Sequence, residues 1–525
     1  MRSEAPPRAG SSLPSLACLL TRDASPVFQN LSLTKFLSRL AVLTAVLFLT
    51  TACMVVGPDY QKPVVLTPPK WNSKTSTEAP RLGGWWKNLH DPVLDQLIAD
   101  GIGASPDVAT AKAKVRQARA NYASAGGALY PSLDGSGSYT RSDSGSTNAS
   151  SQSSLGFKTQ WEFDLFGANY RGVETAYYNM EAANEHLRGA LVILIGDIAT
   201  NYVQLRGVQA NIAIAQRNAA SQRQTVALTR SQLQAGHISE VNLLGAETQA
   251  ASTEAQIPGL RINYATYLNK LSVLTGRSSS TLAATLDKTR PIPSVPRKVS
   301  SGVPADLLLC RPDIRAAERE SASSTASIGQ KQADLYPRIS LSGDINTGGA
   351  KIGDLARLST IGWSFGPSLS VPVFNNGKLN AEVEAARAAR DQSFIAYRKA
   401  VLTALSEVES ASVSLNQNRL RVTQQQRIVS NSRNINELTL DQYRAGTKSF
   451  IDVLTAQRDL LSAETSLAQT RTDLVLSYID LQKALGGGWN GRIEVGKPEV
   501  ADGYTGPHFV KRAIPAPPVA DTRPS

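Results

Sequence analysis

Four histidines and three cysteines are the residues best suited to hold zinc in a chain of 525 residues, and their spacing argues against metal chemistry. His90, His186, His237 and His508 are scattered, and Cys18, Cys53 and Cys310 lie far apart. A structural zinc site takes its ligands in close pairs. Serine and aspartate are abundant, yet no Ser/His/Asp arrangement and no phosphate-cradling glycine loop occurs. The sequence thus predicts no metal, no cofactor and no enzyme, for want of a convergent acid, base or nucleophile. One thiol has an informative context. Lys35 and Arg39 precede an apolar run from Leu40 to Leu49, followed by Thr50, Thr51, Ala52 and Cys53. This is the charged, apolar and small-residue order of a secretory signal, too short to span a bilayer comfortably.

Cys53 stands where a bacterial lipobox puts the cysteine that becomes the lipidated first residue of the mature protein. Thr50 departs from the usual Leu or Val, and an ordinary cleaved signal with an incidental cysteine is the alternative reading. Residue 54 is Met and not the Asp that favours inner-membrane retention, so the outer membrane is the expected destination, with a palmitate-type anchor on Cys53. Residues 1–52 are then leader and signal peptide. At the other end Pro515, Pro517, Pro518 and Pro524 mark a flexible tail.

Composition removes further classes. Mean hydropathy is −0.19 and only one membrane-directed apolar run is present, which excludes a polytopic inner-membrane protein. Lys and Arg number 55 against 43 Asp and Glu, a formal charge of +12. The basic residues are spread thinly and interleaved with acids, so no nucleic-acid partner is expected.

The elements that must position any site come in two copies. Pro106-Asp107 opens a helical run ending at Leu129-Tyr130-Pro131, and Pro312-Asp313 opens another ending at Leu335-Tyr336-Pro337. Gln234-Ala235-Gly236 answers Arg444-Ala445-Gly446, and Leu274-Thr275-Gly276 answers Ala484-Leu485-Gly486. Such separated landmarks at nearly constant offset indicate an internal duplication. The first repeat covers 105–276 and the second 307–486, joined by a linker at 277–306, with segments 53–104 and 487–525 outside them.

Each repeat reads as a helix of about 22 residues, two strands, a long helix and a shorter one. Pro in the first turn and Asp after it suit the helix start. Leu155 to Leu165 alternates with period two, as do Ile339, Leu341 and Ile345, and Ile361, Trp363 and Phe365. Ser142 to Ser154 and Gly348 to Ser359 are Ser/Gly/Asn-rich and read as loops. The proline-free stretches Ala168 to Gln234 and Lys378 to Arg444 carry Ala, Leu and Val at three- and four-residue spacing. At 1.5 Å per residue each spans on the order of 100 Å, a coiled-coil length. Gly236 and Gly446 are the natural helix terminators. The shorter helices, 241–275 and 450–485, follow them.

Four strands cannot close a membrane barrel, and an open sheet edge in hydrocarbon leaves backbone groups unpaired at several kcal/mol each. Membrane barrels begin at eight strands, and twelve leave an aqueous lumen. The strands are therefore expected to be pooled between copies.

Leu308-Leu309-Cys310-Arg311-Pro312-Asp313-Ile314-Arg315-Ala316-Ala317-Glu318, Trp161-Glu162-Phe163-Asp164-Leu165-Phe166-Gly167, Gly57-Pro58-Asp59-Tyr60 and Asp441-Gln442-Tyr443-Arg444-Ala445-Gly446 with Asp452-Val453-Leu454 together resemble the TolC-like outer membrane factors, in particular NodT-type lipoproteins of resistance-nodulation-division (RND) efflux systems. The resemblance covers essentially all of residues 53–500, with Cys310 in place of a usual charged residue. It implies an α+β membrane protein, a homotrimer whose twelve-stranded transmembrane β-barrel continues into a long periplasmic α-helical barrel. A collar is expected at about 54–104, 277–306 and 487–510. It also implies an outer membrane channel of a tripartite efflux pump that exports drugs and toxic compounds and contributes to antibiotic resistance. The implied partners are outer membrane lipid, a periplasmic adaptor and an inner-membrane RND transporter. The exit duct of a type I protein secretion system is the alternative on the same fold, and a pore-less periplasmic coiled-coil scaffold would leave the alternating strands unexplained.

The same resemblance marks a periplasmic gate. Asp452 matches an acidic position that forms a ring about the three-fold axis, where converging carboxylates select cations. Tyr443 and Lys448 match positions tied to holding the tip closed, Lys448 standing where a relative has Arg. Asn242 is the first-repeat counterpart of Asp452, and Thr455 replaces an acid found in some relatives. A solvated helix-cap aspartate is the competing reading of Asp452, and simple packing that of Tyr443. Trp85, Trp86 and Trp71 are expected to anchor the collar.

Overall fold

The computed structural model describes residues 55–64, 68, 71, 82–143, 145, 149–299, 311–489 and 493–496. The chain divides after Cys53 into two units, and all described residues belong to the second. The leader, Cys53, Cys310, the linker from 300 on and the tail from 497 lie outside the described residues.

A 3-10 turn, Trp85–Leu89, leads into α1, Pro92–Ala104. Asp91 caps α1 by accepting from the Val93 and Leu94 amides, at 2.9 and 3.4 Å, and Pro92 supplies the first turn. The first repeat then runs α2 (Pro106–Gly127), β1 (Ser132–Ser142), β2 (Ser150–Phe163), α3 (Ala168–Gln234) and α4 (Glu240–Thr275). A short helix α5, Ser279–Leu286, follows. The second repeat gives α6 (Pro312–Ala333), β3 (Arg338–Gly349), β4 (Ile361–Ser370), α7 (Lys378–Arg444) and α8 (Phe450–Ala484), in the same order. Helices α3 and α7 have 67 residues each, about 100 Å, and both start after a glycine in the left-handed region, Gly167 and Gly377. Helices α2 and α4 both pack along α3, as α6 and α8 do along α7, and α6 and α8 also reach α3.

Among the described residues four antiparallel strands form one sheet in the order β1-β2-β3-β4, so β1 and β4 are both edges there. The register stacks Gly135, Phe157, Ile345 and Trp363 in one cross-strand row, and Trp161 opposite Leu341. Odd-numbered positions thus form one apolar face, and even-numbered positions form a polar one. Phe157, Ile345, Trp363, Phe365 and Leu369 are exposed, Trp363 at 77%.

Two boundaries differ from the sequence expectation. β2 begins at Ser150, inside the stretch read as loop, and β3 continues to Gly349. The reason lies in the side chains. Ser138 and Ser154 hydroxyls meet at 2.8 Å and Ser142 and Ser150 at 3.1 Å, so small polar residues extend the ladder without any hydrophobic alternation. The connection after β3 contains two 3-10 turns, Ile352–Ala356 and Leu358–Thr360.

The main core lies where α1 and the 3-10 turn meet the upper halves of the long helices. Trp85, Leu94 and Ile98 pack with Ile195, Ile198 and Tyr202 of α3 and with Tyr478 of α8. Trp85 is 1% exposed, its ring edge-on to Tyr478 at 5.9 Å, and Trp71 packs at the margin. The Tyr202 hydroxyl donates to Asp91, so one carboxylate caps α1 and ties it to the long helix. Burying each such large apolar side chain stabilises by about 1.5–3 kcal/mol.

The helix turns and the far end of the bundle

Each long helix ends in the same device. After α3 the Gly236 amide donates to Leu233 and the His237 amide to Gln232; after α7 the Gly446 amide donates to Tyr443 and the Thr447 amide to Gln442. Gly236 and Gly446 have φ of 78° and 76°. These paired bonds with a left-handed residue form a Schellman stop, which glycine makes without steric cost. Two or three residues on, Ser239 and Ser449 start the return helices. Because the strands lie at the opposite ends of α3 and α7, these turns sit about 100 Å from the sheet.

The two turns share Ala, Gly and Ser but differ in how the return helix is capped. Asp452 accepts from the Ser449 amide at 3.0 Å and from its hydroxyl at 2.6 Å, completing a capping box. Those bonds, the Ser449 hydroxyl first, hold its carboxyl below the usual carboxylate range, with Lys448 adding to the effect. Asn242 stands at the corresponding place in the first repeat, where no side-chain cap forms. Asp452 therefore has a capping role within its own chain, while its side chain remains partly exposed to solvent. Lys448 is exposed and has no ion-pair partner among the described residues.

Tyr443 is 6% exposed and sits against Phe450 at 5.8 Å between ring centroids, in a cluster with Ala246, Val453 and Leu454. Burial raises its phenol above the usual value. Its hydroxyl donates to the Gln232 side chain, a bond from the end of one long helix to the end of the other. The structure thus brings Tyr443 together with both helix ends, and places Lys448 and Asp452 on the exposed rim of the second turn.

Sequence reasoning passed over Gln232 and the seam that continues from it. Gln457 donates to Thr225 at 2.9 Å, Arg458 to Gln249 at 2.6 Å, and Glu464 accepts from Asn218 at 3.1 Å and Arg433 at 2.7 Å. Gln222 is 2% exposed, and its amide has no partner among the described residues. The signal was present: Asn218, Gln222, Thr225, Thr229 and Gln232 recur at four and three residues, the spacing of a buried coiled-coil stripe, here filled with polar side chains. Among the described residues no three His, Cys, Asp or Glu side chains converge as metal ligands, and no helix is long and apolar enough to cross a membrane.

A duplicated pair of coiled-coil hairpins, suspended from a sheet with one apolar face, defines an α+β outer-membrane channel subunit. Residues 97–277 and 303–487 match the family model described as outer membrane efflux protein, and the chain belongs to that family. It is 33% identical to nodulation protein T of Rhizobium leguminosarum bv. trifolii over 83% of this chain and 95% of that one. It is 32% identical to the solvent efflux pump outer membrane protein SrpC of Pseudomonas putida, over 85% and 97% of the two chains. Among solved structures it superimposes on the outer-membrane channel OprN with a TM-score of 0.75 at 32% identity, covering 83% of this chain and 99% of that one.

Proposed function

We propose that three copies of this chain form a continuous duct through the outer membrane and periplasm, serving as the exit channel of a tripartite efflux pump for small toxic molecules. The observation that carries this reading is the sheet. Its four strands leave the outer edges of β1 and β4 unpaired among the described residues, and its apolar face is exposed in the single chain. In hydrocarbon the edges require partners, which further copies supply, and twelve strands enclose water while turning the apolar face to lipid. The helical half supports the same assembly. Ile395, Leu402, Val413, Leu420, Ile428 and Ile435 of α7 are exposed, at spacings of seven, eight or eleven residues, each close to a whole number of helical turns. Such a stripe is a coiled-coil seam awaiting a neighbouring helix.

In this reading the turns at Gly236 and Gly446 face the periplasm, where an adaptor protein and an inner-membrane transporter complete the pump. Tyr443, Lys448 and Asp452 form the gate, with Asp452 repeated about the three-fold axis. Cys53 carries the lipid that adds a second hold on the outer membrane. The duct binds and orients no reactant; its action is containment, so it performs no catalysis. Names among the relatives, a solvent pump component above all, favour small-molecule efflux over a type I secretion duct.

The test is extraction and conductance. Detergent-solubilised protein is expected to run as a trimer and to insert discrete conducting steps into planar bilayers. A water-soluble monomer without conductance overturns the reading. Restored export of a dye by the whole chain together with an RND pump, in cells lacking their own duct, separates efflux from protein secretion.

A further inference from the structure

The polar face of the sheet contains a feature that pore formation alone does not require. The register sets Asp134 opposite Lys158, and Lys158 opposite Asp344. All three are even-numbered, on the face away from Phe157 and Trp363, and Ser364 completes the row. The next row toward the hairpin turns is Ser136, Gly156, Asn346 and Gly362, and every further polar-face residue of the strands in that direction is uncharged. Gly156 has no side chain, and Asn346 folds back to donate to Asp344. Asp134, Lys158 and Ser364 are exposed and Asp344 is half-buried, and Lys158 lies within ion-pair distance of no carboxylate among the described residues. The row is thus a set of separated charges presented to the space on that face, with a net charge of one negative per chain.

Resting on the trimeric duct proposed above, we propose that Asp134, Lys158 and Asp344 form an ion-selecting ring inside the barrel, the last charged level before the external mouth. Three copies put six carboxylates and three ammonium groups on one level, a net charge of three negative. Twelve strands about 4.8 Å apart and tilted about 40° give a backbone radius of roughly 12 Å, so the charges stand roughly 10 Å from the axis. In water at that distance, three net negative charges enrich a monovalent cation on the axis about fivefold at 10 mM salt, where the Debye length is about 30 Å. At 1 M salt, where it is about 3 Å, the enrichment falls below roughly a tenth. The ring therefore discriminates among charged solutes at low ionic strength and leaves neutral ones unaffected.

The experiment is the zero-current potential of the reconstituted full-length trimer under a KCl gradient at about 10 mM mean salt, repeated near 1 M. Lys158→Gln removes the only positive charge in the row and is expected to move the potential toward stronger cation preference. Asp134→Asn with Asp344→Asn leaves a net positive ring and is expected to move it the other way. Both shifts collapse at 1 M. Asp344→Asn alone, which preserves volume and moves the potential in the same direction as the double variant, gives a readout if a larger change hinders assembly. Variants that conduct with unchanged potentials at low salt overturn the ring and leave the duct standing. A wild type that never conducts overturns the duct, and the ring with it.

Discussion

Replacing Tyr443 by Phe removes one hydroxyl and leaves the ring in place against Phe450, so it isolates the bond to Gln232 from the packing around it. A hydrogen bond of this kind contributes about 1 kcal/mol net, because water offers both partners an alternative when the helix ends separate. One chain would then shift its local closed-to-open ratio about fivefold. If the three tips of a trimer open together, the three contributions add to about 3 kcal/mol, a shift of roughly a hundredfold in open population at 1.4 kcal/mol per factor of ten. The measurement is open probability of single trimers in planar bilayers. Tyr443→Ala serves as the comparison, since it also empties a site that is 6% exposed and opens the tip further. Gln232→Leu combined with Tyr443→Phe completes a double-mutant cycle, and the pair is expected to be far from additive. An unchanged open probability in Tyr443→Phe, together with opening in Tyr443→Ala, refutes the reasoning: Tyr443 would then act only by filling space.

Asp452→Ala is expected to reduce cation preference and alter conductance of the trimer, because it removes a solvent-accessible carboxylate from the rim of the turn; unchanged currents remove Asp452 from the gate. Gly446→Ala forces a Cβ into a backbone with φ of 76° and should destabilise the turn by about 1 kcal/mol, read as faster proteolytic nicking between α7 and α8. Cys53→Ser is expected to abolish incorporation of labelled palmitate while leaving barrel insertion intact, and continued labelling refutes the anchor. His186 donates through Nε2 to the Glu320 carboxylate at 2.9 Å, a contact that raises its pKa above 6.5. Its contribution is fully present below pH 6.5 and is lost as pH rises through the raised folded value. Both side chains are about half exposed, so the effect is a few tenths of a kcal/mol, visible as a small drop in melting temperature across that window that His186→Gln removes.

The helices were legible in the sequence because their ends are written in backbone chemistry. Pro106 and Pro312 can sit only in a first turn, and Gly236 and Gly446 can stop a helix where other residues strain, so local physics fixes both boundaries. β1 and the start of β2 were not legible. In an isolated chain β1 is exposed at every position, and its rows of Ser and Gly have the composition of a loop. What makes them strands is pairing with residues that are distant in sequence or belong to another copy, and no short window contains that information. At the tip the glycines and Asp452 were visible as local signals. Gln232 was invisible for a different reason: its partner Tyr443 lies 211 residues away, and only the packing of α3 against the end of α7 joins them.

The distribution of polar and apolar contacts along the bundle bears directly on how such a duct can open. Around Trp85, Tyr202 and Tyr478 the interior is apolar and dense, and separating helices there would expose hydrocarbon at about 25 cal/mol for each Å². Between Asn218 and Gln232 the buried stripe of the same helix is mainly amide and hydroxyl, with apolar contacts limited to Ala219 and to Val226 and Leu228 against the small cluster around Tyr443 and Phe450, and Gln222 lacks a partner among the described residues. Bonds there exchange for bonds to water, so separating those layers costs about 1 kcal/mol per bond, and wetting Gln222 returns some of it. One continuous 67-residue helix is therefore clamped between Leu187 and Leu205 and held by fewer apolar contacts along the polar stretch beyond them. Motion follows the cheaper contacts, so opening should spread from the turns as far as the polar seam reaches and stop where the apolar core begins, near Leu205. Hydrogen exchange on the assembled trimer would register this as fast amides in α3 beyond about residue 218 and protected amides before it. Uniform protection along α3 would mean that the seam is no weaker than the core.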